Sequence, residues 1–178
     1  RNFHPELDDI IASLPSQLDQ LGNLILYGPS GSGKYTQFLR IAEKYAISTL
    51  QSPLKNDKMS SRTDKHEYTY RISDIHYEID LGQLGCESKK MWNECFFQII
   101  DVIATKPYKS GIILCRNFQS TYSQLVDPFY SYMQHSRTLG IHVSFVFLTE
   151  HISFIPTNIA QCCKIVSVCR PARESYRH

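Results

Sequence analysis

The residues best able to do chemistry stand together at positions 28–36. Gly28, Gly31, Gly33 and Lys34 satisfy G-x-x-x-x-G-K, with Pro29, Ser30 and Ser32 filling the loop and Tyr35 and Thr36 following it. A loop that wraps a polyphosphate turns its backbone N–H groups inward, which requires positive φ and close approach without Cβ atoms. The lysine of such a loop reaches the β- and γ-phosphates, and a helix opening near Tyr35 aims its positive end at them. One position departs from the pattern. The residue after the lysine should be Ser or Thr, whose hydroxyl binds Mg²⁺, but here it is Tyr35, and Thr36 comes one place late. A phenol carries its oxygen too far out for that coordination site. The loop therefore argues for nucleotide or phosphate binding more than for hydrolysis. Ser30 and Ser32 are expected to hold the loop rather than attack anything.

The flanking sequence says what must position these residues. An apolar run (Leu24, Ile25, Leu26) precedes the loop, and Phe38, Leu39, Ala42 and Tyr45 follow at helical spacing. Strand, loop, helix is the order a phosphate-binding turn needs; an ordinary Gly/Ser turn requires no such context.

Composition bounds the class. With 178 residues, 42% hydrophobic and 20% charged, the sequence is expected to form one domain, 1–178, with a sizeable core. It opens at Arg1, as a fragment would. A net charge of +2 is too small to argue for nucleic acid by itself. No apolar run approaches the roughly 20 residues a membrane span needs, and no leader pattern stands at the start. The six cysteines lack C-x-x-C spacing and several fall in apolar runs, so buried thiols in a reducing, intracellular compartment are expected and a zinc site is not. The seven histidines are scattered and default to surface or packing roles. No Ser/His/Asp or Cys/His constellation stands out.

Periodicity then lays out the elements. A helical lead-in is predicted over 3–22, strands at 23–27, 67–72 and 75–80, and helices from near 35 to about 45, at 88–104 and at 122–135. Further strands are predicted at 111–115, 143–148 and 164–168. The polar stretch 48–66 reads as a mobile loop. Trp92, Cys95, Phe96, Ile99, Ile100 and Ile103 fall on one helical face and belong to the core. Pro128 should perturb the first turns of its helix. Strands alternating with helices give an α/β fold with a doubly wound parallel sheet in three layers.

The order of pieces resembles the ATPase domain of a replication factor C small subunit, a sliding-clamp loader of the AAA+ class with a RecA-like P-loop sheet. The lysine followed by a non-hydroxyl residue and then Thr36 resembles that loader's least ATPase-competent small subunit. Ile72–Asp80 resembles its second-strand region, Phe145–Glu150 its sensor strand, and Ile155–Cys163 the segment that ends in Ser-Arg-Cys in working loaders. Arg170-Pro171 falls where the helical lid begins, so lid and collar are expected to be absent. The Tyr- and Ile-rich strands also resemble those of large DNA virus homologues.

The departures bear on mechanism. After the strand at 111–115, a working ATPase carries a carboxylate for Mg²⁺ and another to polarise the attacking water. Here those places hold Arg116 and Asn117. The sensor position falls at Glu150 or His151, and the arginine-finger position at Cys162. Asp80 is expected to cap rather than to catalyse, and Glu78/Asp80 have no spacing that demands a shared metal.

The resemblance thus implies ATP or ADP as ligand, with Mg²⁺ left open, and no catalytic residue. It also implies sibling loader subunits, a sliding clamp and, through the assembly, primer–template DNA as partners, in a nucleus or a cytoplasmic viral replication compartment. Two other readings stay open. One is an active P-loop ATPase of DNA metabolism that takes its acid from elsewhere; the other is a nucleotide kinase, disfavoured by the missing arginine-rich lid. On the helix at 122–135, Tyr130 and Gln134 are expected on a solvent face that meets the clamp, with Phe129 in the core.

Overall fold

The computed structural model describes residues 3–48 and 57–172. Seven strands form one sheet: β1 (Asn23–Tyr27), β2 (Asp57–Arg62), β3 (Glu67–Ile72), β4 (His76–Asp80), β5 (Ser110–Arg116), β6 (His142–Thr149) and β7 (Cys163–Ser167). Their order is β2-β3-β4-β5-β6-β1-β7. From β4 to β7 every pairing is parallel, whereas β2, β3 and β4 pair antiparallel. The sheet is therefore mixed and mostly parallel, with an antiparallel edge added to the expected parallel core.

Five helices are α1 (Asp8–Ser13), α2 (Lys34–Ser48), α3 (Ser88–Thr105), α4 (Ser123–Thr138) and α5 (Thr157–Gln161). They flank the sheet in a three-layer α/β arrangement. Strand alternation splits the core in two. Ile25, Tyr77, Ile79, Ile113, Phe145 and Phe147 pack with the buried stripe of α3 and with Phe129 of α4. Leu24, Leu26, Ile112, Leu114, Val146 and Leu148 pack with Phe38, Ile41 and Tyr45 of α2 and with the lead-in leucines. Lys44 of α2 donates to the carbonyls of Ile11 and Leu14, at 2.9 Å each, and so ties α2 to the end of α1, where the Ile11 carbonyl also accepts from the Leu14 N–H.

Of the stretch read as a loop, residues 57–62 form β2, while 49–56 lie outside the described residues. Asp-Lys-Met-Ser-Ser-Arg lacks the branched and aromatic residues that announce a strand. It is held as an edge by its ladder to β3, and by Ser61, which donates to Gln98 Oε1 on α3 at 2.5 Å. Pro128 lies inside α4, within the span expected to be helical. Tyr130 and Gln134 are half-buried rather than solvent-facing, and Tyr130 packs on the core; the exposed aromatic there is Tyr122, at 53%.

Among the described residues no helix is long and apolar enough to cross a membrane, and none of the six cysteines is in a disulfide.

Candidate nucleotide-binding site

The loop leaves the C-terminal end of β1 and enters α2 at Lys34. Gly33 has φ of 94°, a value that L side chains rarely adopt, and Gly31 has φ of 74°. At Gly28 the constraint is space: a Cβ there would stand 2.0 Å from the Val168 carbonyl oxygen, just beyond β7. The Ser32 hydroxyl is buried with no hydrogen-bond partner among the described residues. The Ser32 carbonyl accepts from Nε2 of buried His4 at 2.7 Å, while His4 Nδ1 meets Glu6 at 2.9 Å. The lead-in thus braces the loop from outside, through a contact between residues 28 apart in sequence.

Lys34 Nζ donates to the carbonyls of Gly28 and Pro29 at 2.7 and 2.9 Å, across the mouth of the loop. Burial lowers its pKa, and the Glu150 carboxylate opposes that shift. A cavity of about 330 Å³ opens between the loop and the ends of β5 and β6, with Gly31, Lys34, Tyr35, Arg116, Asn117 and Glu150 on its wall. Ser30 and Gly33 also face it, and Gly28, Pro29 and Ser30 line a neighbouring cavity with Glu150 and Arg170. Thr36 is exposed and lines neither, so it does not take over the role that Tyr35 vacates.

The fate of the Tyr35 phenol is what sequence reasoning missed. Its hydroxyl donates to Glu78 Oε1 at 2.5 Å. Glu78 sits on β4 beneath α2 and is 5% exposed. The proton assignment around it follows from counting donors. Ser73 Oγ accepts the backbone N–H groups of Ile75 and His76, so its own proton goes to His76 Nδ1. The imidazole is then left to donate through Nε2 to Glu78 Oε1, at 3.0 Å. Burial raises the Glu78 pKa, but hydrogen bonds from His76 and Tyr35, with the Arg116 charge nearby, carry it below its ordinary value. The Tyr35 pKa is raised, first by burial and then by the bond to Glu78.

Arg116 ends β5. Its guanidinium lies over the Tyr35 ring, Cζ 4.7 Å from the centroid, with Nη1 3.9 Å from Glu78 Oε2. Asn117, left-handed at φ 53°, donates its amide to Asp80 Oδ1 at 3.0 Å; the same oxygen accepts from Gly82 N, so Asp80 caps as expected. Of the two sensor-strand candidates, Glu150 faces the main cavity, its N–H held by Gln119 at 3.3 Å. Cys162 closes α5 near Asn23, at the start of β1 and away from this chain's own loop.

These residues do not fit a divalent metal. The phenol is turned to Glu78, Asn117 is engaged by Asp80, and the residue that ends β5 brings a guanidinium. Among the described residues no group of three or more His, Cys, Asp or Glu is placed to hold a metal ion.

No family model and no curated protein sequence matches the chain. Solved structures do. PCH-2 of C. elegans is similar to it at 16% identity over 84% of the chain, with a TM-score of 0.56. Trip13 of Rhizobiales is similar at 13% over 95%, with a TM-score of 0.53. A third likeness is to the HORMA:CdnC:Trip13 complex of E. coli MS115-1, at 13% over 90% with a TM-score of 0.51. At such identities the likeness shows the fold alone, and that fold is the AAA+ P-loop fold. The chain spans 35%, 51% and 46% of the length of those three.

Proposed function

We propose that this chain is a nucleotide-binding AAA+ subunit that keeps ATP or ADP in its phosphate loop without turning it over. The observation that carries the reading is the engagement of Tyr35 and Arg116 with buried Glu78, in the place where a working site assembles its metal and its water-polarising acid. An arginine stabilises phosphate charge but accepts no proton. Such a subunit serves by shape: it holds a place in an assembly and offers a docking face. The replication factor C resemblance makes that assembly a clamp loader, with sibling subunits, a sliding clamp and primer–template DNA as partners, in a nucleus or a viral replication compartment. In that setting, α4 would face the clamp, and exposed Tyr122 replaces Tyr130 as its test residue. Tyr122→Ala should leave the melting curve unchanged while reducing capture of the chain on clamp-loaded beads.

The central test is a titration of the chain with a fluorescent ATP analogue beside a phosphate-release assay. Lys34→Ala should weaken binding about 10-fold or more, the loss of a charge-assisted contact of roughly 1.5–3 kcal/mol. Phosphate release should match buffer. One observation favours a second reading: Glu150 faces the cavity beside Lys34, where a carboxylate would be able to act as the acid that Asn117 cannot supply. Release above about 0.1 per second, against a typical turnover of at least about one per second, would establish that reading if Lys34→Ala and Glu150→Gln both abolished it.

A further inference from the structure

We infer that the loop takes its polyphosphate without a divalent metal, with the Arg116 guanidinium as the fixed cation in the metal's place. This rests on the nucleotide-binding reading above and says which form of the ligand the site accepts.

Two departures that look independent in sequence meet in space. Tyr35 removes the metal's hydroxyl ligand and Arg116 removes its carboxylate, yet the guanidinium now lies on the face of that same phenol ring, 4.7 Å from its centroid. The pair is anchored from below. Glu78 Oε1 accepts from Tyr35, and Oε2, which has no hydrogen-bond partner among the described residues, stands 3.9 Å from Arg116 Nη1. That distance is beyond hydrogen-bond reach, so the carboxylate orients the guanidinium without consuming its donors. The Arg116 side chain remains 38% exposed and lines the cavity with Lys34 and Gly31.

The chemistry of that wall selects against Mg²⁺ and for phosphate oxygen. Mg²⁺ beside a nucleotide takes phosphate and water oxygens plus one or two protein oxygens. Here the wall offers one carboxylate, Glu150, whose charge already acts on Lys34, and no Ser or Thr hydroxyl stands in the place of Tyr35. A resident guanidinium repels a second cation at short range, most strongly where water is excluded. Toward a phosphate the same group presents a rigid planar fork of N–H donors, and stacking on an aromatic face holds that fork in place before the ligand arrives. Lys34 supplies a second positive charge from the loop side. The preferred ligand is therefore the free, metal-unbound polyphosphate, and Mg²⁺ competes by sequestering it.

The experiment titrates the purified chain with a fluorescent ATP analogue in excess EDTA and again in excess Mg²⁺. The dissociation constant in EDTA should be equal to or smaller than that in Mg²⁺, and Arg116→Ala should raise the EDTA value about 10-fold or more, with Arg116→Lys in between. Tightening by Mg²⁺ of about 10-fold or more would overturn the inference while leaving the nucleotide-binding reading intact. Unchanged affinity in a folded Arg116→Ala variant would overturn it as well. Absence of binding in both buffers would remove the underlying reading and this inference together. The comparison of the two buffers uses the unaltered chain, so it decides the matter even if a variant fails to fold.

Discussion

The two faces of the sheet take alternate residues of the same strands and use them for different ends. On the α3/α4 face, Phe129 stands 4.6 Å from Trp92, 5.5 Å from Phe118 and 5.6 Å from Phe147, ring to ring, in a cluster of fully buried aromatics. On the α2 face, β4 contributes His76 and Glu78 instead of Tyr77 and Ile79, and a polar chain runs from Ser73 to Arg116 through an otherwise apolar layer. Apolar burial scales with area and asks little of geometry. A buried carboxylate is costly to desolvate and repays that cost only where every contact is aligned. One face therefore supplies stability, and the other spends some of it to fix Tyr35 and Arg116 beside the loop.

The largest expected effect breaks the stabilising face. Phe129→Ala leaves a cavity among the rings of Trp92, Phe118, Phe145 and Phe147 and should cost about 3–5 kcal/mol, read as a fall in the urea midpoint. A cost below that of Glu78→Gln would reverse the division of labour between the faces.

Glu78→Gln comes next, at about 1.5–3 kcal/mol at neutral pH, because it replaces the charged acceptor of two hydrogen bonds by a neutral amide in the same space. Its pH dependence sharpens the comparison. The Glu78 pKa lies below the ordinary value of 4.5, so its contribution is fully present above about that pH and is lost as pH falls through the folded-state value. The gap between wild type and variant in urea unfolding should therefore narrow on acidification below pH 4.5. A gap that stayed constant would mean that the carboxylate is not ionised in the fold. Phe129→Ala should show no such narrowing.

Periodicity and turn chemistry placed six of the seven strands and the phosphate loop, since each is written in contiguous residues. What they could not place depends on register and helix rotation. Tyr35 and Arg116 were visible as departures, but that they meet follows from the turn of α2 over β4 and from Asp80 pairing with Arg116 in the β4–β5 ladder. Glu78 looked like half of an acidic pair with Asp80. Only the packed layer shows that it is buried under α2 while Asp80 caps a turn at the strand's end. The brace from His4 to Ser32 has no local signature at all. The half-buried Tyr130 misled because α4 packs a broader stripe against the core than its strongest apolar positions mark.

The smallest expected effect separates the two jobs of Tyr35. Tyr35→Phe keeps the ring on which Arg116 stacks and removes only the hydroxyl that donates to Glu78. His76 still satisfies Oε1, so the carboxylate is not orphaned, and the cost should be about 1 kcal/mol in urea unfolding. If the ring's main service is to hold the guanidinium flat, analogue affinity in EDTA should stay within about 2-fold of wild type, because cation–π stacking does not require the hydroxyl. Tyr35→Ala removes both and should lower that affinity several-fold. Equal affinity in the Phe and Ala variants would mean that Glu78 alone positions Arg116, and would shift the positioning role from the ring to the buried carboxylate beneath it.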